Sequence, residues 1–351
     1  MNSATGAQTI DTELHLLVPT LDDLLPYVPQ AWQRKLTTSE FRLPPTGPHP
    51  GVEIERHRIT AGTDPAETAA GLPPGTVAAL LSAPQPLVST GWLGHEMAAI
   101  FHRAVNDYVM DRWLACDSRF YLAASVSVHD IDTAVAEVRR VADHPRVAAV
   151  VTSLIAINMG HKHYHRLYEV CQEKNLPLVI HPGGFEGSVV GPAALAGVGP
   201  RTPEETFALL PQVAMTSVSS LIFDGVFLRF PELTIVFAGF GYGWVPPVLW
   251  RADAEWRGLR VEVPWLVEPP SEVAARNIRF VVDGACDLDK AGAWKLAEML
   301  PEQLLLYGSD RPYITSGVAG LAGAPEHLRR RIEFENAAST FPRLRIAVGD
   351  R

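Results

Sequence analysis

Short apolar runs recur along the chain at intervals, at 10–18, 76–82, 119–126, 147–152, 176–181, 233–238, 278–283 and 303–308. Within most of them hydrophobic and polar residues do not alternate. Strands buried on both faces, as in a parallel sheet covered by helices, read this way. The stretches between them carry helical spacing. Leu93 to Cys116 places Ile100, Phe101, Ala104, Val105, Val109 and Trp113 on one stripe. Asp130 to Ala142 opens on an aspartate cap. Further helices are expected at His165–Lys174, Pro203–Phe230, Trp244–Gly258, Ala291–Leu300 and Pro325–Ala338, the second of them almost wholly apolar in its middle. Leu21 to Ala31 has helical spacing interrupted by prolines and reads as irregular.

Eight strand-and-helix units without a glycine-rich dinucleotide fingerprint predict a (β/α)8 TIM barrel rather than a doubly wound sheet. The barrel spans 10–345 as a single domain, between a flexible N-terminus at 1–9 and a tail at 346–351. Residues 40–75, rich in proline, glycine and charge, form a long irregular excursion after the first strand.

Composition narrows the class. Hydrophobic residues make up 47% and charged residues 20%, which fits a globular chain and excludes a disordered one. A net charge of −9 without a long Lys/Arg run argues against a nucleic-acid partner. Cys116, Cys171 and Cys286 are far apart and odd in number, as in a reduced, cytoplasmic protein. No basic segment leading into an apolar one opens the chain, and its apolar runs read as too short to cross a bilayer. The expectation is a soluble protein acting on a small molecule.

The chemistry of such a barrel lies at the C-terminal ends of its strands. In the first strand, Glu13 and His15 share a face because side chains alternate. The fifth strand ends at His181, the sixth at Ala238-Gly239-Phe240-Gly241, and the eighth runs into Gly308-Ser309-Asp310-Arg311-Pro312. Singly, a histidine ending a buried strand is more commonly structural, and an aspartate before Arg-Pro is more commonly a turn cap. Together, Glu13, His15, His181 and Asp310 would surround one point on the axis. Two imidazoles and two carboxylates suit one divalent ion, zinc or manganese, with a position left open for water or substrate.

These motifs resemble those of the amidohydrolase-2 family, which includes the aminocarboxymuconate-semialdehyde and dihydroxybenzoate decarboxylases. The resemblance runs from about residue 10 to residue 345. It is carried by Glu13-Leu14-His15, Arg103 to Tyr108, Leu176 to Gly184, Gly243-Trp244-Val245-Pro246, Trp250 to Asp253, Gly308 to Pro312 and Phe334 to Ala337. It implies a metal-dependent barrel, a homodimer, and ligands at the same four positions, with zinc the leading ion. Glu-x-His in place of His-x-His is the form of several decarboxylase branches. One position departs from the family: Gly239 stands where relatives carry a histidine or glutamate on strand six. Its work would fall to Asp310 or to one of His161, His163 and His165, or the chemistry has changed.

The leading expectation is a non-oxidative decarboxylase of a small aromatic or unsaturated acid, with Asp310 and His181 as catalytic residues. The runner-up is a metal-dependent hydrolase of an ester, lactone or amide. A ligand-binding barrel without turnover and a scaffold using 40–75 as an interface are further alternatives. Arg311, Tyr313, His161 and His163 are the candidate substrate contacts. For Arg251, an ion pair with Asp253 or Glu255 is favoured over a substrate role.

Overall fold

Eight strands follow one another around a single sheet in chain order, every neighbouring pair parallel. They are β1 (Thr9–His15), β2 (Thr76–Ser82), β3 (Phe120–Ser125), β4 (Val147–Thr152), β5 (Leu178–Ile180), β6 (Ile235–Phe237), β7 (Ile278–Val282) and β8 (Leu305–Tyr307). A parallel bridge between Leu14 and Arg311 joins the last strand's extension to the first. The bonds Asp310 N–H to Glu13 O (2.9 Å) and His15 N–H to Arg311 O (2.7 Å) reinforce that seam. The computed structural model describes residues 8–44, 62–92, 94–184, 202–282, 292–313, 321 and 323–346.

Burial follows strand alternation. Leu122, Leu178, Ile180, Ile235, Phe237, Phe280 and Leu305 belong to the apolar cluster shared with the helices. Their neighbours Ala123, Val179, Val236, Val281 and Leu306 belong to a second cluster that fills the barrel interior. Phe334, Ala337, Phe341 and Leu344 join this inner cluster. The Arg345 N–H donates to the Tyr121 hydroxyl (3.2 Å) near the start of β3, so the C-terminal segment closes the N-terminal end of the barrel. The opposite end is left for chemistry.

The strands and most helices fall where the apolar pattern puts them. The differences have local causes. Leu21–Ala31 is not simply irregular. It holds short helical turns at Leu21–Leu24 and Leu25–Tyr27, and Pro29 precedes a helix at Gln30–Thr38. Within the expected excursion, Asp64 caps a helix at Pro65–Ala70 through the N–H groups of Ala66 and Glu67. In both places proline stands at a helix start, where its missing N–H costs nothing. Residues 45–61 lie outside the described residues. The helix expected to run unbroken over Pro203–Phe230 stops at Phe223, because Gly225 takes a left-handed φ of 71° before a second helix at Val226–Arg229. By length and composition its Glu204–Phe223 portion, 20 residues, could cross a membrane. That corrects the reading of the apolar runs, since scattered Ser, Thr and Gln residues hide its continuity. A helix at Pro270–Asn277 was not foreseen. Cys116 and Cys171 are free thiols, and Cys286 lies outside the described residues.

Candidate metal centre

The site begins at an irregularity in β1. From Asp11 to Leu14 this strand advances three residues while β2 advances two, from Ala79 to Leu81. One extra residue is inserted, a bulge. Ile10 lies in the inner cluster and Leu14 in the outer one. Four apart in a regular strand, they would share a face. The bulge switches faces, so Glu13 and His15, on either side of outward-facing Leu14, turn into the barrel mouth. Asp11 sits at the switch, buried, with Oδ1 accepting the Glu13 N–H (3.1 Å) and the Ser309 N–H (3.0 Å). Burial pushes its carboxyl pKa up, against the hydrogen bonds from Ser309 and Glu13.

Across the seam, Gly308 makes room for the glutamate. A Cβ there would meet Val281 Cγ1, Glu13 Cβ at 2.7 Å and Glu13 Oε2 at 2.9 Å. Only glycine admits the carboxylate at that depth. Asp310 follows with a left-handed φ of 50°, a conformation aspartate tolerates better than most residues. Its Oδ1 lies 3.2 Å from His15 Nε2.

His181 is held beyond β5 by its N–H to Thr152 O (3.0 Å). Its Nδ1 lies 2.9 Å from Pro182 O. A carbonyl only accepts, so Nδ1 carries the proton and Nε2 presents its lone pair. That Nε2 lies 3.3 Å from Glu13 Oε1, and His15 Nε2 lies 3.9 Å from the same oxygen. The following Gly183 packs where a Cβ would strike Ser153 Cβ (2.7 Å) and Leu87 O (2.8 Å). The motif is therefore tied to the loops after β2 and β4.

Glu13, His15 and His181 each offer a donor atom within 4.8 Å of the others. Two donors held ~2.1 Å from one ion in tetrahedral array stand roughly 3.4 Å apart, and the 3.3 and 3.9 Å pairs bracket that spacing. Both ring nitrogens of His15 are buried and make no hydrogen bond among the described residues, Nε2 having only the Asp310 and Glu13 carboxylates beside it. Leaving such an atom unpaired costs about 1–3 kcal/mol, a penalty that ligation would remove at the ring nitrogen facing the ion. The residues fit a divalent metal. Glu13 and His15 are 2% and 1% exposed, His181 and Asp310 15% and 21%, so the donor set opens outward on the His181 and Asp310 side. A cavity of about 460 Å³ lies elsewhere, between Asn158, Met215, Phe223 and Val248, and includes none of these donors.

A family model described as an amidohydrolase matches residues 10–348. The chain belongs to the amidohydrolase-2 family. No curated protein matches it in sequence. Among solved structures it is similar to the 5-carboxyvanillate decarboxylase LigW of Sphingomonas paucimobilis, at 22% identity over 96% of this chain and 99% of that one, with a TM-score of 0.66. A 5-carboxyvanillate decarboxylase of Novosphingobium aromaticivorans, solved with manganese and 3-methoxy-4-hydroxy-5-nitrobenzoic acid, is 18% identical over 97% and 99%, with a TM-score of 0.72. A dihydroxybenzoic acid decarboxylase of a Polaromonas species, solved with manganese and 2-nitroresorcinol, is 18% identical over 97% and 100%, with a TM-score of 0.62. At these identities the likeness is one of fold.

In this amidohydrolase-2 barrel the other expected contacts are distributed unevenly. The Tyr313 ring stands edge-on to His15, centroids 5.3 Å apart. Arg311, expected to anchor a carboxylate, donates from Nη1 to Gly71 O (2.7 Å) and ties the returning excursion to the barrel. His161 and His163 are likewise engaged in structure rather than gathered with the donors. His161 Nδ1 accepts the His163 N–H (3.1 Å) as a cap, and His163 Nε2 lies 2.7 Å from Val128 O. The His165 ring packs edge-on to Phe230. Arg251 pairs with Glu255 at 2.7 Å, as favoured from sequence.

At strand six, Gly239 has a φ of 77°, and a Cβ there would meet Pro182 Cδ at 2.9 Å and His181 Nε2 at 3.4 Å. This corner adjoins the donor set in a conformation that suits glycine. Asp11 and Gly308 are not among the residues expected at the site. Their only advance signals were position, two residues before Glu13 and two before Asp310. His102, on the helix His95–Tyr108, has Nε2 3.1 Å from Ser89 Oγ, and burial pushes its pKa down to about 3.

Proposed function

We propose that this barrel is a metal-dependent, non-oxidative decarboxylase of a small aromatic carboxylic acid bearing a ring oxygen close to the carboxylate. The observation that carries this reading is the convergence of the Glu13, His15 and His181 donors within 4.8 Å, with Asp310 Oδ1 3.2 Å from His15. The fold's relatives that act on 5-carboxyvanillate and dihydroxybenzoic acid suggest the substrate class.

Glu13, His15 and His181, with Asp310 at the edge, would hold one divalent ion. Zinc was expected from sequence; manganese, present in two solved relatives, accepts the same donors. Such an ion supplies Lewis acidity to the substrate's carboxylate and neighbouring oxygen. Everything else falls to side chains. Buried Glu13 and His15 form a rigid floor, and the Nδ1–H of His181, engaged with Pro182 O, keeps that ring oriented. Asp310 is open enough to take a proton from solvent and deliver it to the ring carbon bearing the carboxylate. That carbon gains the proton, its bond to the carboxylate carbon breaks, the electron pair restores the aromatic ring, and carbon dioxide leaves. Solvent reprotonates Asp310, so no oxidant or reductant is consumed. With glycine at 239 no strand-six imidazole competes for this proton.

The test is carbon dioxide release from hydroxybenzoates and 5-carboxyvanillate by protein loaded with Mn²⁺ or Zn²⁺. Saturable release is expected, falling by ~10²–10⁴ in Asp310→Asn. Turnover of esters or lactones without carbon dioxide would replace decarboxylation with hydrolysis. Failure to bind stoichiometric metal would remove both readings.

A further inference from the structure

We infer that Asp11 is a positioning residue for the metal donors: its carboxylate clamps the β1 bulge to the β8 extension and so sets where Glu13, His15 and Asp310 point. The inference rests on the metal reading of the site and adds to it a residue that touches no metal. Asp11 is not among the three residues whose donor atoms converge.

Four observations support the clamp. Asp11 stands where β1 gains its extra residue, the step that turns Glu13 and His15 inward. Its Oδ1 accepts from both sides of the seam, from the Glu13 N–H at 3.1 Å and the Ser309 N–H at 3.0 Å. The first bond spans two residues, the pattern with which an aspartate stabilises a local turn; the second reaches the residue before Asp310. The seam continues through Asp310 N–H to Glu13 O and His15 N–H to Arg311 O. Three of the four candidate ligands thus lie within one or two residues of an atom that Asp11 holds or that bonds directly to such a segment. Finally, Asp11 is 2% exposed, so bulk water does not reach either amide in the intact protein. Its removal leaves two buried N–H groups to find new partners, and the segments that carry them must move.

A capping residue that merely stabilises the fold would show the same bonds, so the test must read ligand placement rather than stability. Chelator-stripped protein is titrated with Mn²⁺, free ion being followed by electron paramagnetic resonance, for the unsubstituted chain, Asp11→Asn and Asp11→Ala. Asparagine keeps an acceptor oxygen at Oδ1, and affinity within about threefold of the unsubstituted chain is expected. Alanine removes the acceptor, and affinity ~10–100-fold weaker is expected, the usual cost of losing a residue that orients ligands. Asp11→Ser, whose shorter hydroxyl reaches one amide at most, is expected to fall between them and serves if the alanine variant does not fold. Unchanged Mn²⁺ affinity in Asp11→Ala or Asp11→Ser, whatever the melting temperature, would reduce Asp11 to a fold-stabilising cap. An asparagine variant as weak as alanine would overturn the hydrogen-bonded clamp. No saturable binding by the unsubstituted chain would sink the metal reading itself, and this inference with it, and is distinguishable from both.

Discussion

Adding a single methyl group at Gly308 tests whether the depth of Glu13 matters to metal holding. The new Cβ would lie 2.7 Å from Glu13 Cβ and 2.9 Å from Glu13 Oε2, and against Val281 Cγ1 as well. Ordinary contact begins near 3.4 Å, so relief requires β1 and β8 to part by roughly half an ångström or more, or the carboxylate to swing away. Overpacking of this kind costs about 1–3 kcal/mol. Displacing a ligand by that amount should weaken divalent binding ~30-fold, within the range seen when ligand support is removed. The two effects separate in one experiment, thermal unfolding with and without Mn²⁺. At an ion concentration ~100 times the unsubstituted Kd, binding adds about 2.7 kcal/mol of stability; ~30-fold weaker binding leaves about 0.9 kcal/mol. Gly243→Ala is the control, because its Cβ would meet only Leu296 Cδ1 at 3.9 Å. A Gly308→Ala protein that keeps the full metal increment would show that Glu13 need not sit where Gly308 places it.

Three further expectations follow from particular residues. Gly239→His should not raise turnover and should lower stability by at least ~1–2 kcal/mol, since the left-handed backbone penalises any Cβ and Pro182 crowds it; a tenfold gain in activity would mean the corner is a decayed histidine site. Burial pushes the His102 pKa down to about 3 in the folded chain, against 6.5 for a free imidazole. The unfolded chain therefore takes up its proton first, and stability present above pH 6.5 is lost as pH falls toward 3. The loss reaches about 2 kcal/mol by pH 5, read as the difference in urea unfolding between the unsubstituted chain and His102→Gln; a His102 imidazole resonance, assigned by its absence from His102→Gln, that titrates near 6.5 in the folded protein would refute it. The homodimer implied by the family resemblance predicts sedimentation at twice the 38.3 kDa chain mass, and a monomer at tens of micromolar would contradict it.

The barrel was legible because its strands are buried on both faces, so apolar runs alone marked them. His181 and Asp310 were legible for the same reason: once the strands are placed, their ends are placed. Glu13 and His15 were assigned to one face correctly, but by an argument blind to the bulge that turns that face inward. Nothing in Asp11-Thr12-Glu13 announces an extra residue, because bulging depends on pairing with β2 and β8. The helices at Gln30–Thr38 and Pro65–Ala70 were hidden by prolines that break helices from within and begin them from outside. Arg311, His161 and His163 show the remaining limit. Each has the chemistry of a substrate contact, and each also has a backbone partner, Gly71 O for Arg311, the His163 amide for His161 and Val128 O for His163. Such choices are made by tertiary packing and leave no trace in local sequence.

The seam between β1 and the β8 extension bears on how the protein comes into being. Asp11 and Ser309 are 298 positions apart, so a growing polypeptide exposes Glu13 and His15 long before it acquires Asp310. Until the late segment docks, the early pair has neither Gly308 beside it nor the clamp that aims it. A ribosome-bound chain stopped before β8 would carry three of the four candidate ligand residues and no assembled centre. Metal uptake would then report closure of the ring, and the ion would act as the fastener that keeps β1 and the β8 extension together.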